Sequence, residues 1–126
     1  MHPQARRLRD RISAGEPVLG TFLVEFASAA AVGVLADAGF DFVLVDCEHG
    51  LYSPPDVGRL LDAAAQADIA GIVRVPSCDR AAITQALDAG AAGILVPAIA
   101  TVEQVRQVVR ATKYTPVGKR GVHLIT

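Results

Sequence analysis

The stretch Phe40-Asp-Phe-Val-Leu-Val-Asp-Cys-Glu-His-Gly50 decides the architecture, because an apolar run over 42–45 ends abruptly in Asp46, Glu48 and His49. Strands buried on both faces read as continuous apolar runs, since helices cover a parallel sheet on each side. The pattern therefore predicts a buried strand whose tip carries three ionisable side chains. In parallel α/β folds ligands sit at the carboxyl ends of the strands, which makes these residues site candidates by position alone. Each also has a plain structural reading: Asp46 caps the next turn, Glu48 is solvated and His49 fills space. Their concentration at one strand tip favours function.

Working outward toward the amino terminus, Pro17 to Phe26 reads as a first strand, with Gly20 permitting close backbone approach. Ser28 is placed to cap the helix that follows it, and Gly39 is the expected left-handed terminator. A short helix over residues 3–13 precedes this unit, with Leu8 and Ile12 as an i,i+4 apolar pair. Toward the carboxyl terminus, Pro54 and Pro55 suit a first helical turn, and Val57, Leu60, Leu61 and Ala64 give that helix an apolar stripe. Ile69 to Val75 reads as a third strand stopped by Pro76. Asp79 caps a helix ending near Leu87, Gly93 to Pro97 makes a fourth strand, and Thr101 starts a last helix. Pro116 to Gly121 reads as a turn, and no closing element follows before Thr126.

Asp37-Ala-Gly followed by Val43-Leu-Val45 recurs as Asp88-Ala-Gly followed by Ile94-Leu-Val96, at an offset of 51 residues. Two βα units take about that length. Strands and helices alternating in this rhythm imply a parallel sheet with right-handed crossovers, either a (β/α)8 barrel or an open doubly wound sheet. No Gly-x-Gly-x-x-Gly or Gly-x-x-x-x-Gly-Lys-[Ser/Thr] motif follows any strand, which favours the barrel. A closed barrel takes eight βα units in roughly 250 residues. The four readable strands thus predict the N-terminal half of a TIM-type barrel, as a single partial domain over residues 1–126 with unpaired first and fourth strands.

Composition narrows the partners. With 12 Lys and Arg against 13 Asp and Glu, no net field favours nucleic acid or an acidic membrane. Aromatic residues make up 5% with no Trp, which argues against base or sugar stacking platforms. Cys47 and Cys78 lack CxxC spacing, so they read as packing thiols in a reduced interior. The longest apolar stretch, Ala89 to Ala100, is too short for a membrane span, and no signal-peptide core is present. A cytoplasmic protein acting on small molecules follows as the expectation.

The strand tips carry the chemistry: Phe22 or Glu25 on the first, Asp46, Glu48 and His49 on the second, Arg74 on the third and Pro97 on the fourth. A histidine near neutral pKa can move a proton, and an arginine at the adjacent tip can hold a carboxylate or a developing oxyanion. Such a pair suits proton transfer beside a carbonyl. Arg74 has strand core on both sides, and burying it unpaired is costly, so a carboxylate partner is implied, either Glu48 or a ligand.

These residues resemble the HpcH/HpaI-type class II pyruvate aldolases, typified by 4-hydroxy-2-oxoheptanedioate aldolase and 2-dehydro-3-deoxyglucarate aldolase. The resemblance runs through Gly39-Phe-Asp41, Asp46-Cys-Glu-His49, Val73-Arg-Val-Pro76, Leu87-Asp-Ala-Gly90, Leu95-Val-Pro97 and Lys119-Arg-Gly-Val122. It implies a carbon-carbon lyase that cleaves a 2-keto-4-hydroxy acid to pyruvate and an aldehyde, with a divalent metal, Mg2+ or Mn2+, and a homo-oligomeric assembly. By the same resemblance His49 is the acid/base, Arg74 stabilises the transition state, and Asp88 raises the basicity of the histidine. Phe22 and Pro97 line the substrate pocket, while Asp46 and Glu48 accept hydrogen bonds from metal-bound water. The family's direct metal ligands, a Glu and an Asp on later strands, have no counterpart before Thr126, so no metal ligand is assigned here. Asp88 falls at a helix's carboxyl end, on the opposite face of the barrel, where a structural role or supply from a neighbouring subunit are the alternatives. The competing expectation is a non-catalytic half-barrel that acts by associating with a homologous subunit.

Overall fold

A computed structural model describes residues 2–122. Residues 123–126, before which no closing element was expected, lie outside the described residues. The elements run in order α1 (Pro3–Ser13), β1 (Gly20–Leu23), α2 (Ala29–Asp37), β2 (Phe42–Asp46), α3 (Pro54–Gln66), β3 (Ala70–Arg74), α4 (Arg80–Asp88), β4 (Gly93–Leu95) and α5 (Val102–Thr112). The strands form one parallel sheet in the order β1-β2-β3-β4, as expected for consecutive βα units of a partial barrel.

Local chemistry sets the helix ends. The Ser28 hydroxyl accepts from the Ala31 amide at 3.3 Å, and Asp79 Oδ1 accepts from the Ala81 and Ala82 amides at 2.7 and 3.1 Å. Ser53 and Asp56 form a reciprocal capping box at the start of α3, and Thr101 and Gln104 form another at the start of α5.

The sheet has two unlike faces. Leu23, Val43, Val45, Val73 and Val75 pack against Val57, Leu60, Leu61 and Ala64 of α3 and Ile83 and Ala86 of α4. Alternation puts the intervening residues on the inner face. There the register aligns Phe22, Leu44, Ile72 and Gly93 in one row, and Asp46, Arg74 and Leu95 in the row nearest the carboxyl ends. Gly20 is needed at the other end, because a Cβ there would lie 2.1 Å from Cζ of Phe42.

Two strands are shorter than the sequence suggests. β1 ends at Leu23, the partner of Val45, one position before β2 itself ends at Asp46, and Val24 to Phe26 leave the sheet. β4 likewise stops at Leu95, the partner of Arg74, because β3 ends there. At the amino ends, α1 crosses the sheet so that Leu8 and Ile12 share a cleft with Ala70, Ile72 and Gly93. Arg11 holds it down through the Asp41 carboxylate and the Pro17 carbonyl, the latter at 2.7 Å. Arg7 adds contacts to Asp68 Oδ1 at 2.8 Å and the Asp68 carbonyl at 2.6 Å. No helix among the described residues is long and apolar enough to cross a membrane.

Leu60 is fully buried in the α3-sheet interface, whereas Leu51 stands wholly exposed after the β2 tip. Leu60→Ala should therefore lower the free energy of urea unfolding by about 2–5 kcal/mol. Leu51→Ala should change it by less than about 0.5 kcal/mol.

Candidate active site

Asp46 is the last residue of β2 and only 3% exposed, the sole buried charged residue among those described. Both its oxygens are in use. Oδ1 accepts from the backbone amides of Glu48 at 2.9 Å and His49 at 3.1 Å, and Oδ2 accepts from Arg74 Nη1 at 3.3 Å. Burial pushes this carboxyl's pKa up, but the two amides and the Arg74 charge outweigh it and hold the group below the usual carboxylate range. Asp46 caps the turn, as its plain reading expects, and also pairs with Arg74, for which only Glu48 or a ligand was expected.

The turn after Asp46 brings the other groups over the strand tips. Its backbone closes through the Gly50 amide, which donates to the Asp46 carbonyl at 3.1 Å. A Cβ at Gly50 would lie 2.2 Å from that carbonyl oxygen and 2.8 Å from the Val24 carbonyl oxygen, so this position excludes a side chain. Glu48 then reaches Arg74, its Oε2 ion-paired with Nη2, and the same oxygen lies 3.5 Å from His49 Nε2. His49 itself sits at the lip, its side chain 65% exposed. Arg74 arrives in register opposite Asp46, and its carbonyl accepts from the Cys47 amide at 2.9 Å. The result is an accessible imidazole beside a carboxylate and a guanidinium, a set able to move a proton next to a bound anion.

Other expected site residues stand further off. Phe22 is half exposed on the inner face, one row below Asp46 and Arg74, where it can form a wall. Pro97 follows the end of β4 and is partly buried. Asp88 is not brought to His49 within this chain: it ends α4 at the amino-terminal side of the sheet and pairs with Arg120 Nη2 at 2.9 Å. The reason is topological, since a helix that starts at one strand's carboxyl end finishes beside the next strand's amino end. No group of three or more His, Cys, Asp or Glu among the described residues could hold a metal ion. With both Asp46 oxygens engaged, these residues do not fit a self-sufficient metal centre.

Sequence reasoning missed Gly50 and Leu95. The first was legible as the glycine that follows the Asp-Cys-Glu-His turn. The second stands beside Arg74 in the register, 41% exposed on the same face, and only strand pairing reveals it.

Residues 20–126 match the HpcH/HpaI aldolase/citrate lyase family. The chain belongs to that family. Similar proteins include the hydroxypyruvate/pyruvate aldolase of Roseobacter denitrificans, 41% identical over 114 residues that cover 88% of this chain and 43% of the relative. The 4-hydroxy-2-oxo-heptane-1,7-dioate aldolase of Klebsiella pneumoniae is 40% identical over 90% of this chain and 43% of its own length. Among solved structures, an HpcH/HpaI aldolase from Desulfitobacterium hafniense superposes with a TM-score of 0.87 at 39% identity, covering 92% of this chain and 45% of that one. This HpcH/HpaI chain therefore spans less than half the length of the relatives it matches.

In this HpcH/HpaI chain, the lowered pKa of Asp46 has a sign that can be tested. A carboxyl whose folded pKa lies below its unfolded value adds stability that is present above about pH 4, the unfolded value, and is lost as pH falls through the folded one. Asp46→Asn should cost about 2 kcal/mol at pH 7. The gap between variant and parent, read from urea titrations, should stay level above about pH 5 and narrow below about pH 4.

Proposed function

We propose that this chain supplies the acid/base and anion-holding part of a carbon-carbon lyase, which cleaves a 2-keto-4-hydroxy acid to pyruvate and an aldehyde. The observation that carries the reading is the single network joining Asp46, Glu48, His49 and Arg74 at adjacent strand tips. Aldol cleavage needs a base for the 4-hydroxyl proton and a cation for the charge that develops on the keto oxygen. His49 is the accessible base, and Arg74, fixed by Asp46, is the cation.

As the bond between C3 and C4 breaks, its electron pair passes into the pyruvate enolate, and C4 leaves as the aldehyde carbon. His49 takes the hydroxyl proton in that step, and proton delivery to C3 of the enolate then gives pyruvate and restores the base. Arg74 stabilises the oxygen that gains charge, in a site where preorganised donors need no reorganisation. Phe22 forms one wall of the pocket and Pro97 closes the β4 side.

The divalent metal that the family resemblance implies, Mg2+ or Mn2+, would be held by groups other than the described residues, and none of these roles passes through it. Asp88 would reach a histidine only from a neighbouring subunit, which fits a homo-oligomer, and its role in this chain is the pair with Arg120. The free thiols of Cys47 and Cys78 suit a reducing, cytoplasmic setting.

A chimera that joins this chain to the remaining half of the Roseobacter denitrificans relative tests the reading. It should release pyruvate from a 2-keto-4-hydroxy acid. His49→Ala and Arg74→Ala should each lower kcat/KM by about 10²–10⁴-fold while leaving the far-ultraviolet circular dichroism unchanged. Full activity in either variant would remove that residue from the mechanism.

A further inference from the structure

The Arg74 guanidinium is unevenly satisfied. Nη1 donates to Asp46 Oδ2 at 3.3 Å and Nη2 is paired with Glu48 Oε2, but Nε is buried with no hydrogen-bond partner. Nε and Nη2 share one edge of the guanidinium plane, the edge that takes two coplanar oxygens at once. Glu48 covers this edge with a single oxygen. That contact is an ion pair, and Glu48 Oε2 has no hydrogen-bond partner.

We propose that Glu48 is a placeholder, occupying the Nε/Nη2 edge of Arg74 until a 2-keto acid displaces it. The inference rests on the reading of Arg74 as the substrate-anion group. A 2-keto acid presents coplanar oxygens, two on the carboxylate and one on the ketone, and any adjacent pair fills the edge and satisfies the orphan Nε. Asp46 cannot be the carboxylate that yields, because its Oδ1 is locked by two backbone amides and the residue is buried.

Glu48 can yield at low cost. It lies on the turn rather than in the strand, and its Oε2 is already 3.5 Å from His49 Nε2. On release from Arg74 the carboxylate still lies beside the imidazole of His49. Without the exchange, three carboxylates would crowd one guanidinium. Glu48 is thus a positioning residue: it pairs with Arg74 before substrate arrives and then turns to the imidazole that must take the proton.

The test uses the chimera with the remaining half of the Roseobacter denitrificans relative, titrated with pyruvate and with pyruvamide as the uncharged analogue. In the parent chimera, pyruvate should shift the Glu48 13Cδ resonance while the Asp46 13Cγ resonance holds still. Glu48→Gln should bind pyruvate about tenfold more tightly by calorimetry, whereas pyruvamide should gain less than about twofold. Equal or weaker pyruvate binding by Glu48→Gln, or an equal gain for both ligands, would overturn the placeholder role. The functional reading has its own arm: Arg74→Ala should abolish pyruvate binding. Unchanged binding in that variant, or none in parent and Glu48→Gln alike, would contradict the reading itself and the inference with it.

Discussion

A carboxylate taken out of water must be paired, and at Asp46 that requirement orders everything at the tip of β2. The side chain is nearly inaccessible, so each of its oxygens has to find donors within the protein. Two of them are the amides of Glu48 and His49, which forces the chain to turn immediately after the strand. The third is the guanidinium of Arg74, which reaches it only because β2 and β3 are parallel and paired Asp46 to Arg74. Gly50 completes the arrangement, since the turn folds back too tightly for a Cβ. A single buried charge thereby fixes a turn, a strand register and the position of a cation.

The rest of the fold keeps those strand tips where they are. One face of the sheet is closed by valines and leucines under α3 and α4, and the other carries Phe22, Leu44 and Ile72 below the charged row. At the far end the arginines of α1 tie the loops before β2 and β3 through Asp41 and Asp68. The Arg7–Asp68 pair is exposed and adds little energy by itself, whereas Arg11–Asp41 is partly buried. Their consequence is positional, because both strands that deliver the site are anchored at their amino ends.

Most of the fold could be read from residues in order, and the reasons are local. Ser28 and Asp79 cap helices as their positions suggest, and Gly39 and Gly90 have positive φ of 89° and 99° as left-handed terminators. Strand lengths were less legible, because a strand's end is set by its neighbour: β4 stops at Leu95, opposite Arg74, the last residue of β3. The site was legible as far as it lay in one segment, hence Asp46, Glu48 and His49, with Arg74 following from its apolar surroundings. Leu95 depends on register alone. The pairing of Asp46 with Arg74 was not read from the sequence, where Glu48 or a ligand was the expected partner, because it depends on the β2–β3 register.

Whether Asp46 holds the turn is read most directly by amide hydrogen exchange measured residue by residue. The Glu48 and His49 amides, though they lie in a surface turn, should exchange far more slowly than the exposed amide of Leu51. In Asp46→Ala both should lose that protection while Val43 and Val45 keep theirs. If the Glu48 and His49 amides exchange at the rate of Leu51 in the parent chain, Asp46 does not organise this site.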